Sequence, residues 1–152
     1  MTSPSRTRSS LFAGWRLWRI DVDDDLEWRL KSLYRDTFWA PGEATTATCP
    51  HEPAARKCRC GIYAYKAPYR TRFKYDAFYR PREVALAVGQ VKLWGNVVAA
   101  EYGYRAQYAY PSRLYVVALT GAIENPVLRE MADGLARAYG VPASIAARWE
   151  YL

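Results

Sequence analysis

All three cysteines of this 152-residue chain, Cys49, Cys58 and Cys60, fall with its single histidine, His51, inside the twelve residues CPHEPAARKCRC. Three thiolates and one imidazole form a common ligand set for structural zinc, which needs four such donors in a tetrahedron. Pro50 and Pro53 stiffen the first pair, and Gly61 lets the backbone turn after the second. The spacing is tight. One residue separates Cys49 from His51, and one separates Cys58 from Cys60, where two to four are usual. In an extended chain that gap puts both side chains on one face, so chelation is feasible. Arg56, Lys57 and Arg59 beside the second pair would favour the thiolate form. The expected cofactor is zinc, held by Cys49, His51, Cys58 and Cys60 in a closed structural site. Inert buried thiols and a reversible redox pair are the competing readings.

A catalytic zinc would keep one coordination position open for water. The run HEP followed by CRC has some likeness to the zinc deaminase pattern H-x-E…P-C-x-x-C. It departs twice, because Glu52 directly follows His51 and the cysteine gap is one residue short. A metalloenzyme with three of the four ligands and Glu52 as acid/base is therefore the enzyme alternative. A Ser-His-Asp triad would have to use His51, and no phosphate-binding G-x-x-x-x-G-K-[ST] loop is present. The balance leans away from an enzyme.

A second group of residues points to binding. Between Tyr65 and Glu83 six cations alternate with aromatics, against two acids, Asp76 and Glu83. Aromatic faces that stack bases, with cations that hold phosphates, are what single-stranded nucleic acid requires. The candidate contacts are Arg70, Arg72, Lys74, Tyr75, Tyr79 and Arg80. A formal charge of +7 and a pI near 9.4 suit a polyanion, either nucleic acid or an acidic protein surface. Packing of these aromatics onto the domain, with arginines along their edges, is the plainer alternative.

The elements that must position these residues read as one domain. Residues 1–12 form a basic arm with Arg6 and Arg8, and residues 13–152 form a single α+β unit with the Cys/His loop at 49–60. GWRLWRIDV predicts a strand and DVDDD a solvated acidic turn, and the following LEWRLKSLYRDTFW fits an alternating strand (Leu26, Trp28, Leu30) or a short helix, with a strand pairing back favoured. GIYAY predicts a short strand and residues 65–83 a loop with a helical turn or two. VALAVGQVKLWGNVVA predicts a long strand with Gly89 and Gly95 as sites for bends or bulges, turning near EYGY. YRAQYAY and SRLYVVAL are expected as two further strands. Asn125 as cap, Pro126 at the first position and the stripe Val127, Leu128, Met131, Leu135 and Ala138 predict a helix closed by Gly140 and Pro142. The expected fold is a mainly antiparallel bent sheet or small barrel with a C-terminal helix. No apolar run approaches the roughly 18 residues that cross a bilayer. An export signal is not expected either, because Arg16 and Arg19 break the early apolar run.

Taken together, GWRLWRI, WAPGE, CPHEP, CRCGIYA, VGQVKLWGNV, GYRAQYAYP and YGVP resemble a family of small uncharacterised proteins from actinobacteria and their phages. The resemblance runs from residue 14 to about residue 142. It implies a cytoplasmic address and that Cys49, His51, Cys58 and Cys60 act together, and it implies no activity. The reading that results is a zinc-stapled, non-enzymatic binding module for nucleic acid or an acidic protein surface. A phage- or host-encoded modulator that grips another protein is the alternative.

Overall fold

The structure, a computed structural model, describes residues 11–48, 59–78, 84–119, 126–146 and 152. In chain order the elements are β1 (Phe12–Val22), β2 (Trp28–Lys31), β3 (Thr45–Thr46), β4 (Ile62–Tyr65), α1 (Tyr69–Phe78), β5 (Ala85–Ala99), β6 (Gly103–Ala118), α2 (Pro126–Tyr139) and β7 (Ala143–Ala146). The acidic run between β1 and β2 is a capped turn. One Asp23 carboxylate oxygen accepts the backbone N–H of Asp25 at 2.9 Å and of Glu27 at 3.1 Å, and the other pairs with Arg29 at 3.2 Å.

The hairpin of β5 and β6 is the spine of the sheet. Along its outer edge β5 pairs with β1, from Leu86↔Arg19 to Leu93↔Phe12. The outer edge of β6 takes β4, β3 and β7 in turn, β7 in parallel and the other two antiparallel. On its far side β1 pairs with β2, and at Trp15 it also meets Tyr65 of β4. That last contact closes a ring β1–β5–β6–β4, while β2, β3 and β7 extend the sheet beyond it. The fold is thus the expected α+β domain with a mainly antiparallel bent sheet and a C-terminal helix, and its closed part is a ring of four strands rather than an even barrel.

Two bulges interrupt the spine, one with its extra residue on each strand. Trp94 pairs with Tyr108 and Val97 with Ala106, so Gly95 and Asn96 together oppose Gln107. Gly95 takes φ +77°, which a side chain would resist, and the Gln107 side chain accepts the Asn96 N–H at 3.1 Å. Lower down, Gln90 pairs with Arg113 and Val91 with Pro111, leaving Ser112 as the extra residue of β6. This corrects the expectation of two strands split at Pro111. A proline has no N–H to give a ladder, but beside a bulge it is tolerated, and β6 runs unbroken for 16 residues. Two more differences concern short elements. Residues 69–78 form a ten-residue helix rather than a loop, and ASIA forms a strand that the sequence pattern did not reveal.

Alternation in β1 sends Trp18 and Ile20 into the larger core with Leu30, Trp39, Ile62, Leu93 and Leu114, and Leu17 into a smaller one with Leu33, Leu86, Val88 and Val117. Because β5 is covered on both faces, Ala85 to Gly89 are all buried. At Gly14 the ring is so narrow that a Cβ would stand 2.7 Å from that of Ala64. α2 starts at Pro126 as expected and buries Leu128, Met131, Ala132 and Leu135 at helical spacing. Of the expected stripe, Val127 instead faces outward.

Buried Tyr139 ends α2 and locks it to the sheet. Its hydroxyl donates to the Trp39 carbonyl at 2.6 Å and accepts the Leu30 N–H at 2.9 Å, while its own carbonyl accepts the Tyr110 hydroxyl at 2.8 Å. Replacing Tyr139 by Phe removes the hydroxyl and leaves two buried backbone groups unpaired. The Tyr139→Phe variant is expected to lose about 2–4 kcal/mol of stability, read by urea unfolding. Burial raises the Tyr139 hydroxyl from 10.0 to about 12, against a small lowering by the Leu30 N–H. The folded value lies above the unfolded one, so the stabilisation is whole below pH 10 and declines as pH climbs towards 12. Wild type should therefore lose more stability than Tyr139→Phe over that alkaline window, and equal losses would contradict the assignment.

Candidate functional site

Helix α1 leaves β4 through Lys66, Ala67 and Pro68. Pro68 suits this point because it precedes the first helical residue, where no N–H is needed. The Thr71 N–H and hydroxyl both bond back to the Pro68 carbonyl, at 3.0 Å and 2.6 Å, and the Thr71 side chain is buried. This explains why the helix escaped a pattern search. It packs on β1, yet its seam includes a buried threonine instead of an aliphatic stripe.

The β5–β6 hairpin tip is pinned beside the start of α1. Lys66 N–H donates to the Tyr102 carbonyl at 2.9 Å, and Ala100 N–H closes the tip on Gly103 at 2.8 Å. The tip thereby brings the Tyr102 ring under the helix. The Arg70 guanidinium lies 3.8 Å from the centre of that ring and 5.3 Å from the ring of Tyr69. Lys74, one turn further on the same face, sits 4.7 Å over Tyr34, and Lys66 sits 5.4 Å over Tyr104. Tyr34, Tyr69 and Tyr102 are 59%, 56% and 51% exposed. Half-buried Tyr65 belongs to the same neighbourhood. Burial chiefly raises its hydroxyl, Tyr34 adds to the rise, and Arg16 and Arg70 oppose it.

The face continues onto the outer side of β4. There Tyr63 is exposed and opposite Arg105 of β6. The Tyr63 hydroxyl donates to the Arg59 carbonyl, and Arg105 donates to the Cys60 carbonyl at 2.7 Å. The segment leaving the Cys/His loop is thus fastened to the sheet by main-chain carbonyls.

Of the residues expected to bind nucleic acid, Arg70, Arg72 and Lys74 share α1, with Arg72 exposed. Tyr75 lies in the same helix, and Tyr79 and Arg80 lie outside the described residues. Tyr34, Tyr63, Tyr102 and Arg105 were missed. Two of them carried a signal. Alternation in GIYAY puts Tyr63 opposite the buried Ile62 and Ala64, and EYGY places Tyr102 in the tip.

The metal reading is corrected. Among the described residues no group of three or more His, Cys, Asp or Glu side chains could hold a metal ion. A zinc site needs its donors converging at about 2.0–2.3 Å. Cys60, the described member of the expected set, is half-buried. Cys49, His51 and Cys58 lie outside the described residues.

No family model, curated protein or solved structure matches the chain. Among the described residues no helix is long and apolar enough to cross a membrane.

The stack of Arg70 on Tyr102 has a spectroscopic consequence. A guanidinium over a ring feels its shielding, so in Tyr102→Ala the Arg70 side-chain protons should move downfield. Stability should fall by only about 0.5–1 kcal/mol, the worth of an exposed cation–π pair. Unchanged Arg70 shifts would show that the pair does not form in solution.

Proposed function

We propose that the protein is a small non-enzymatic binding module that takes single-stranded nucleic acid across the face of α1 and the β5–β6 tip. The observation that carries the reading is the arrangement of three half-exposed tyrosine rings, Tyr34, Tyr69 and Tyr102, each overlain by a cation of α1. Successive rings give stacking surfaces and the cations give phosphate contacts, the combination that strand binding without sequence preference uses. The formal charge of +7 adds attraction for any polyanion. An acidic protein surface is the competing partner. In this reading the protein acts in the cytoplasm of an actinobacterium or its phage, the setting that its sequence blocks resemble.

Fluorescence anisotropy with a labelled mixed-sequence single strand tests the reading. Affinity should fall steeply between ~50 and ~200 mM salt. Arg70→Ala should weaken binding and reduce the salt slope by about 1. Tyr69→Ala should cost about 1–3 kcal/mol at any salt. Absence of binding at low salt, or binding indifferent to these changes, would reject the nucleic acid and turn attention to a protein partner.

A further inference from the structure

A second feature, independent of the α1 face, lies where the ring of strands fails to close fully. On the edge of β1 away from β5, β4 pairs only at Trp15 and β2 only from Arg19 to Val22. No described strand pairs with Arg16, Leu17 and Trp18 along that edge. Arg16 crosses the resulting notch and donates from Nη1 to the Tyr63 carbonyl at 2.7 Å. Its guanidinium lies 5.0 Å over the ring of Trp39, and Trp18 meets the same ring edge-on with centroids 5.2 Å apart. Arg16 and Trp18 are two residues apart, so both side chains leave the same face of β1.

Two N–H donors on the side chains that pack against Trp39 have no acceptor: Arg16 Nε and Trp18 Nε1, both buried. An unsatisfied buried donor costs about 1–3 kcal/mol, and folded interiors contain few. Here two stand on neighbouring positions around one indole. The charge is uncompensated as well, since no ion pair joins Arg16 to a carboxylate among the described residues. Arg16 remains partly accessible as a residue, while Trp18 is wholly buried.

We propose that this notch is a carboxylate site, in which one carboxylate accepts the Nε–H of Arg16 and the Nε1–H of Trp18 beside the ring of Trp39. Donor count and charge select the ligand. Two donors match the two oxygens of one carboxylate, and its single negative charge balances one guanidinium. A phosphate would bring more oxygens than the site has donors. A water would satisfy the donors but leave the charge bare. Burial pulls the Arg16 guanidinium down to about 10, with Tyr65 slightly opposing, which is the mark of a cation lacking its counter-ion. The carboxylate can belong to a small acid or to the C-terminus of a peptide chain.

The test is a titration of the full chain, at constant ionic strength, followed through the indole N–H of Trp18 and the Nε–H of Arg16 in ¹H–¹⁵N spectra. Sodium acetate represents a small acid, N-acetylglycine a peptide C-terminus, and N-acetylglycinamide the neutral control. The expected result is a saturable downfield shift of both signals with either acid and none with the amide. Tighter binding of N-acetylglycine would identify the peptide source, and equal or weaker binding the small acid. Trp18→Phe keeps an aromatic ring but removes one donor, and should weaken the Arg16 response about tenfold, the loss of one charge-assisted hydrogen bond. Shifts that do not saturate in wild type, or that match those given by the amide, would overturn the site and leave the notch to water. An Arg16 response unchanged in folded Trp18→Phe would overturn the shared carboxylate.

Discussion

The bend at Gly95 is the constraint on which the rest of the molecule depends. A flat β5–β6 hairpin could pair with β1 on one edge and β4 on the other, but those two strands would then lie three positions apart in an open sheet. Two residues of β5 opposing one of β6 curl the far half of the hairpin, so that β4 comes round to touch β1 at Trp15. The price of that curl is a left-handed residue, and Gly95 at φ +77° supplies it without a steric penalty. The same curl delivers Tyr102 to the start of α1, because the hairpin tip must follow wherever the bulge points it. Architecture and candidate binding face thus share one cause.

Closing the ring at one end leaves the other end to be sealed differently. There the sheet opens out, and α2 covers it by laying Leu128, Met131 and Leu135 on the larger core. An apolar stripe fixes which face of a helix is buried, but it leaves sliding along the axis weakly opposed. The Tyr139 hydroxyl supplies the missing specificity. It joins the last turn of α2 to Leu30 of β2 and to Trp39, two segments more than a hundred and about a hundred residues away in sequence, with |i−j| of 109 and 100. Gly42 N–H donates to the Tyr110 hydroxyl at 2.8 Å, and that hydroxyl in turn donates to the Tyr139 carbonyl, which carries the network into the loop before β3.

How far such features can be read from sequence depends on whether they are local. The long β5 strand was legible because its apolar residues and glycines lie in one run, and α2 because capping and periodicity are set within fourteen residues. Pro111 misled, since a proline reads as a strand break until its partner beside the bulge, Val91, is known. Helix α1 was hidden because its buried anchor is Thr71, and β7 because four residues become a strand only through a neighbour, β6. The candidate face was half visible. Its cations lie close together in sequence, but the rings beneath them include Tyr34 and Tyr102, which only the fold brings near.

The cations of α1 are not simply solvated, and that bears on how a strand would meet them. The Arg70 guanidinium lies 3.8 Å from the centre of the Tyr102 ring and 5.3 Å from that of Tyr69. A base arriving at such a site would meet rings and a planar cation together. It could stack on them while the guanidinium charge attracted a phosphate. Lysine cannot do both, because its ammonium is a point charge without a stacking plane. Lys74 stands over Tyr34 and Lys66 over Tyr104, so in the proposed reading they would add charge at the margins, and Arg70 would be the residue on which stacking and charge converge. Packing that long side chain on rings of its own chain lowers the entropy left to lose when a partner is bound.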